Sequence, residues 1–250
     1  MKVLNNTFTI LDLFLNNGSE LSLDELTKLS RLNKTTLSRI VKSLVNYGFL
    51  VQRERRGKYS LGYKFFDFSG YIKNQMKTRD IAVPYLLKLS QEVNESVILA
   101  VWTKGLAAVT ETFQANHTLK VVPDEGSRMS LHSTSLGKVI LAFINPKDFD
   151  EIFGDQTLMR FTPNTITDFQ DLKRHLIIVQ REGVAFDDEE NLPGVRGIAA
   201  VLRNFDENVV GSIGVIGPTV RLTRARMREL ITPVRKCAAD ISQALGFPRD

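Results

Sequence analysis

The 250-residue sequence predicts an α+β protein in two parts. Three stretches of helical periodicity, the second and third of them capped, precede residue 48, and two short strand-like runs then flank a basic tip at 53–58. From residue 79 onward, strand-like runs alternate with helical ones. The charge divides in the same way. Residues 1–78 hold 13 Lys+Arg against 6 Asp+Glu, and residues 79–250 hold 20 against 22. The net charge of +5 therefore sits in the first third, which points to a polyanionic partner for that part.

In chain order, Thr7 to Asn16 carries Phe8, Ile10, Leu11, Phe14 and Leu15 and reads as a buried helix ended by Asn17-Gly18. Ser22 caps a second helix, with Glu25 completing a capping box and Leu26 and Leu29 as its apolar positions. Asn33 caps a third. There Leu37, Ile40, Val41 and Leu44 form one stripe, while Lys34, Thr35, Thr36, Ser38, Arg39, Lys42 and Asn46 supply the polar positions. Gly48 closes it. Phe49-Leu50-Val51 and Tyr59-Ser60-Leu61 then read as a hairpin whose tip holds Arg53, Arg55, Arg56 and Lys58.

Three helices and a basic hairpin make a winged helix-turn-helix. Helix 33–47 can lay its polar face in a major groove of double-stranded DNA, and the tip can meet phosphates or a minor groove. A three-helix protein-binding module has the same outline without the charge. Lys64 to Met76 follows as a helix with Phe65, Phe66, Phe68, Tyr71, Ile72 and Met76 on more than one face, which calls for burial against a second copy.

The second part opens with an amphipathic helix over Ile81 to Val93. Val97–Trp102 and Ala107–Phe113 form a hairpin around Lys104-Gly105, with Leu119–Val122 as a third strand. Ser133 to Phe143 is helical, as is Phe169 to Glu182, which ends at Gly183. Gly197–Leu202 and Val209–Ile216 make another hairpin, and Thr223 caps a last helix running to Leu245.

Nothing in the pattern calls for a cofactor, a metal or catalysis. His117, His132 and His175 are scattered, lack ligand spacing with Cys237 and read as surface or supporting groups. Gly211, Gly214 and Gly217 lack the spacing of a dinucleotide fingerprint and suit close backbone approach in a sheet. Asp187-Asp188-Glu189-Glu190 reads as a solvated acidic loop rather than a metal site or an acid–base pair. A Ser135/His132/Asp187 hydrolase lacks a nucleophile elbow. The single cysteine excludes an internal disulfide and suits a reducing cytoplasm. No apolar run approaches the ~18 residues of a membrane span, and the polar start from Met1 to Asn6 reads as no export signal.

Four ordered stretches resemble the IclR family of bacterial transcriptional regulators, together covering nearly the whole chain. "LNKTTLSRIVKSLVNYGFL" is similar to that family's recognition helix and wing start, and "MSLHSTSLGKVILAF" to its PLHxTAxGKxxLA signature. "REGVAFDDEENLPGVRGIAA" resembles RGYAxDxEExxxGxxCIAAP, and "VVGSIGVIGPTVR" resembles GALSISGPxxR. The resemblance implies a DNA-binding unit over 1–62, a linker and dimerisation helix over 63–78, and a GAF-like effector-binding domain over 79–250. It further implies a homodimer or homotetramer on a palindromic operator, modulated by a small-molecule effector such as an organic acid. Carried over by motif, the effector contacts are Thr134, Ser135, Leu136, Asp187, Gly197, Gly214 and Ile216, with an anion at the Ser135 helix start. Gly197 stands in place of a family Cys, Gly214 and Ile216 in place of two serines, and Val201 in place of Pro. The expectation is a weakened grip on small 2-oxo acids, with volume freed at the glycines for a bulkier ligand.

Overall fold

The structure is a computed structural model that describes residues 2–17, 20–54, 57–68, 77–103, 105–154 and 157–248. The chain divides into two compact units, Met1–Met76 and Lys77–Asp250.

In the first unit, α1 (Lys2–Asn16), α2 (Leu23–Ser30) and α3 (Lys34–Asn46) precede a hairpin of β1 (Leu50–Gln52) and β2 (Tyr59–Leu61). Ser22 and Glu25 close a reciprocal capping box on α2. Arg31 ends α2 in the left-handed region, and Asn33 Oδ1 accepts the Thr36 amide at 2.8 Å to start α3. Three residues thus turn one helix into the next. At the far end of α3, Gly48 (φ 76°) donates to Val45 O and Phe49 to Leu44 O. This two-bond closure needs a left-handed residue at its centre, which is why a glycine stands there. Leu37, Ile40, Val41 and Leu44 join Ile10, Phe14, Leu21, Leu26 and Leu50 in one core. Leu21 also pairs with Tyr59 through two backbone bonds of 2.9 and 2.8 Å, widening the hairpin into a three-strand edge.

Several expectations need correction here. The first helix begins at Lys2, not Thr7, and Phe8 and Leu15 are exposed. At 100° per residue, Phe8 lies about 160° around the helix from the buried Ile10. Leu29 is exposed as well. The first hairpin strand is displaced by one residue, to Leu50–Gln52. Residues 64–68 are helical, with Phe65 edge-on to Phe49 at 5.3 Å. The rest of the expected helix, with Tyr71, Ile72 and Met76, lies outside the described residues, as do Gly18, Arg55, Arg56 and Lys104.

In the second unit, α4 (Lys77–Val93) leads into β3 (Ser96–Thr103) and β4 (Leu106–Phe113). Next come α5 (Ser135–Phe143), α6 (Pro146–Phe153) and α7 (Phe169–Glu182), then β5 (Ala185–Asp188), β6 (Val195–Arg203) and β7 (Val209–Pro218). The chain closes with α8 (Arg224–Glu229) and α9 (Ile231–Ala244). The five strands form an antiparallel sheet in the order β4-β3-β7-β6-β5. Strand alternation sends Val97, Leu99, Ile198, Ala200, Ile213 and Val215 to a core with α4, α8 and α9. Ile98, Ala100, Ala185 and Ala199 go to the opposite core with α5, α6 and α7.

Helix α4 starts four residues before the expected Ile81, and α5 starts at Ser135 rather than Ser133, with Thr134 as its N-cap. The expected strand at Leu119–Val122 is absent. The place beside β4 is taken by residues 126–129, bonded through Gly126 N–Val109 O (2.7 Å), Val109 N–Ser127 O (3.0 Å) and Met129 N–Ala107 O (2.9 Å). The last helix is two. Thr223 caps only α8, and the chain breaks at Leu230 because Pro233 has no N–H for the Glu229 carbonyl. Two elements escaped sequence reading. Helix α6 was signalled by the Asn145 cap and Pro146 at its first position. Strand β5 is short and acidic, a poor strand composition.

Candidate functional site

Two surfaces carry the expected residues, one in each unit. In the first, α3 is held by its cap and by the buried stripe, so its opposite face is fixed toward solvent. Thr35, Ser38, Arg39, Lys42 and Asn46 are exposed there, and Thr36 is half-buried. Among the described residues, neither Arg39 nor Lys42 has an ion-pair partner. Lys34 does. Its Nζ meets Asp24 at 2.7 Å and ties α3 to α2. On the hairpin, Gln52 Nε2 donates to Gly57 O at 3.0 Å and braces the turn, leaving Arg53 and Lys58 exposed.

In the second unit, a cavity of about 310 Å³ opens between the start of α5 and the sheet. Thr134, Ser135, Leu136, Asp187, Gly214 and Ile216 line it. Strand register explains how distant parts of the sequence meet. Asp187 faces Gly197, Gly197 faces Ile216, and Ile216 faces Ser96, in one row across the sheet. Ala199, Gly214 and Ile98 form the next row on the same face. Ile98 and Val109 add apolar wall, and the 121–130 segment closes one side with Val121, Val122, Pro123 and Arg128.

The helix start is built to present amides. Thr134 Oγ1 accepts Gly137 N at 3.0 Å, and the first intrahelical bond runs from Lys138 N to Thr134 O at 2.9 Å. The amides of Ser135 and Leu136 precede both, at the positive end of the helix. Gly137 lets this turn seat against the loop before it, since a Cβ there would lie 2.4 Å from Ser130 O and 2.5 Å from Leu131 Cα. Ser212 Oγ donates to Leu136 O at 3.1 Å and pins the turn to the sheet.

Gly197 is the one expected effector residue that does not line the cavity. A Cβ on it would meet Ser135 Oγ at 2.9 Å, and one on Gly214 would meet Ile198 O at 2.8 Å. The expectation of freed volume at these glycines is therefore corrected: Ser135 and the neighbouring strand already fill it.

The acidic run is not a solvated loop. Asp187 is 4% exposed and Glu190 is 8%. Lys138, wholly buried on α5, is ion-paired with Glu190. Asp187 Oδ1 accepts the amides of Glu190 (2.8 Å) and Asn191 (3.4 Å). Burial pushes the Asp187 carboxyl up to about 6, against the Glu190 amide and Lys138, which favour its charge. Asp188 points the other way. Burial works against its charge, but Arg196 at 2.5 Å and Arg224 at 2.9 Å outweigh it and hold the carboxyl low.

The histidines are not surface groups throughout. His132 is buried, with Nε2 against Met159 O at 2.8 Å and Nδ1 against Ser130 Oγ at 3.3 Å. It bonds neither Ser135 nor Asp187, so no triad assembles. His175 Nε2 is buried without a partner among the described residues, and burial, with Lys138 nearby, lowers that ring to about 4. No group of three or more His, Cys, Asp and Glu among the described residues is arranged to hold a metal. No described helix is long and apolar enough to cross a membrane. Sequence reasoning missed Lys138, Glu190 and Asn191. Lys138 stood inside the quoted helix motif, but its burial opposite Glu190 is a tertiary fact.

Comparison with known proteins covers both units. Residues 3–54 match the IclR helix-turn-helix domain. Residues 71–243 match the family described as bacterial transcriptional regulator IclR C-terminal. The glycerol operon regulatory protein of Streptomyces griseus is 31% identical over 232 residues, 92% of this chain and 90% of that protein. The HTH-type transcriptional regulator KipR of Bacillus subtilis is 29% identical over 248 residues, 98% of each. Among solved structures, the IclR of Thermotoga maritima superposes with a TM-score of 0.72 at 26% identity, covering 99% of this chain and 100% of that one. An IclR homolog from Microbacterium hydrocarbonoxydans, complexed with 4-hydroxybenzoate, superposes with a TM-score of 0.78 at 22% identity, covering 97% and 98%.

Proposed function

Because the chain belongs to the IclR family of bacterial transcriptional regulators, and so is a DNA-binding regulator of transcription, we propose a division of labour between its two units. Residues 1–62 bind an operator, 63–78 link and dimerise, and 79–250 sense a small organic acid. Ser38, Arg39 and Lys42 enter the major groove, with Thr35 and Thr36 beside them, while Arg53, Arg55, Arg56 and Lys58 meet backbone phosphates. Lys34 contributes less, because Asp24 already occupies its ammonium.

The observation that carries the effector reading is the cavity itself. It joins the free amides of a helix start, a buried carboxyl and apolar walls within about 310 Å³. This suits a carboxylate larger than three carbons with an apolar or aromatic body. The 4-hydroxybenzoate held by the Microbacterium relative is an acid of that kind. The protein works in the cytoplasm as a homodimer or homotetramer on a palindromic site, and performs no catalysis.

The test is fluorescence anisotropy with DNA flanking the chain's own gene, titrated against salt and against a library of carboxylic acids. The expected result is binding tighter than to random DNA, falling steeply with salt and shifted by at least one acid. Equal affinity for both DNAs would overturn the operator reading. Indifference to every acid would overturn the effector reading.

A further inference from the structure

A carboxylate entering this cavity meets an excess of negative charge among its buried groups. Lys138 is the buried cation beside it, and its ammonium is already tied to Glu190. The carboxyl of Asp187 lines the same cavity. Its Oδ1 is taken by the Glu190 and Asn191 amides, and among the described residues Oδ2 has no partner. A cavity of about 310 Å³ is only about 8 Å across, so an anion on the Ser135 and Leu136 amides stands within repelling range of Asp187. The half-charge of a helix end offsets part of that repulsion, not all of it.

We propose that this cavity takes its acid ligand together with one proton, which Asp187 carries on Oδ2 as a hydrogen-bond donor. The proposal rests on the effector reading above and deepens it. The ligand enters as its anion, the proton comes from solvent, and the complex gains no net charge. Asp187 becomes the residue that selects the ligand's charge state. A protonated Asp187 offers a donor to the bound acid, whereas an ionised one repels it.

The groups around Asp187 leave it as the proton acceptor. Glu190 Oε2 is also buried without a partner among the described residues, but the charge of that carboxyl is matched by the Lys138 ammonium, whereas Asp187 has no such cation. From α5 comes Lys138, paired with Glu190. From the segment after β5 come Glu190 and Asn191, both donating backbone N–H. On β6 the neighbour is Gly197, and Arg196 turns to the other face, toward Asp188 at 2.5 Å and Glu189 at 3.3 Å. On α7, His175 is neutral above about 4. Arg128 lies exposed at the cavity wall, where water screens it. The carboxyl of Asp187 itself is already lifted to about 6 before any ligand arrives.

The test is isothermal titration calorimetry of the full-length protein with benzoate and with hexanoate. Two buffers of different protonation enthalpy are used from about pH 6 to about pH 8. The expected result is proton uptake rising from about half a proton per ligand at about pH 6 to close to one at about pH 8, with affinity weakening toward roughly tenfold per pH unit at the upper end. Asp187→Asn keeps an Oδ1 acceptor for the Glu190 and Asn191 amides, so it should fold, as circular dichroism will report. That variant should bind without proton uptake and with affinity independent of pH. Wild-type binding with no proton uptake and a flat pH profile would overturn the proposal while leaving the effector reading standing. No binding of either acid, even at about pH 5, would overturn the proposal, while the effector reading stands or falls on the acid library above.

Discussion

Lys138 and Glu190, 52 residues apart, form a buried ion pair that joins the cavity's two polar walls. Lys138 lies one turn along α5 from the Ser135 amide, and the Glu190 amide holds Asp187. Thr162 and Thr165 hydroxyls fix the Glu190 carbonyl in turn, Thr165 at 2.6 Å. Removing one partner strands the other charge. Lys138→Met should therefore cost about 3–5 kcal/mol in urea denaturation. The double variant Lys138→Met/Glu190→Met should recover most of that loss. Equal destabilisation by the single and double variants would show that packing, not charge, is what the pair supplies.

Base reading should reside in Arg39. It lies mid-face on α3 with no ion pair among the described residues to hold it back. Arg39→Ala should cost about 1–3 kcal/mol on the operator and far less on random DNA. Equal losses on both would reassign it to phosphate contact.

The hairpin should be read through salt. Arg53 and Lys58 are exposed around the braced turn. Replacing both with alanine should lower the slope of log affinity against log salt by about 2, close to one per phosphate contact, and the Arg55/Arg56 pair should do the same. An unchanged slope would mean that the hairpin faces away from DNA.

The first unit was legible nearly element by element, because caps and stripes are local. Ser22, Glu25, Asn33 and Gly48 act within a few residues of themselves. The cavity was legible only through motif. Asp187, Gly197 and Ile216 share a row because β5, β6 and β7 adopt one register, which no local pattern displays. The errors at the cavity share that cause. The 187–190 acids look solvated in the sequence because their partners, Lys138, Arg196 and Arg224, are remote along the chain. The glycines look like open space in the sequence because Ser135, which fills the place beside Gly197, is 62 residues away.

Opposed titrations should leave stability nearly flat between about pH 4 and about pH 6. Asp187 has its pKa raised in the folded state, so its contribution is present below the unfolded carboxylate value and is lost as pH rises through about 6. His175 has its pKa lowered, so its contribution is present above the usual histidine value and is lost as pH falls through about 4. Asp187→Asn should uncover a rising slope with pH, and His175→Gln a falling one, in thermal melts across this window. Parallel profiles for both variants and the parent would refute the assignment.

Phe66 should matter for assembly. It is 74% exposed and Phe68 half so, with Tyr63 stacked on Phe66 at 6.3 Å. An aromatic cluster of this size turned to water marks a contact surface. Phe66→Asp should shift the full-length protein toward monomer in sedimentation equilibrium and weaken operator binding. A parent protein that is already monomeric would defeat the idea.

Ile216 should decide the size of acid that the cavity accepts. It sits in the row with Asp187 and Gly197 and lines the cavity with its alkyl side chain. Pyruvate or glyoxylate cannot cover that wall and finds no hydroxyl there to bond. Each missing hydrogen bond to a charged ligand is worth about 1.5–3 kcal/mol, so both acids should bind weakly to the parent. Ile216→Ser supplies a hydroxyl and removes apolar wall, and should tighten small-acid binding while loosening that of longer acids. Gly197→Ser offers a contrast. Its Cβ would press on Ser135 Oγ, displacing the side chain beside the helix start. It should weaken acids of every size. Calorimetry on the parent and both variants separates the cases. Tight pyruvate binding by the parent would show that the amides of Ser135 and Leu136 hold a small acid without help from the wall.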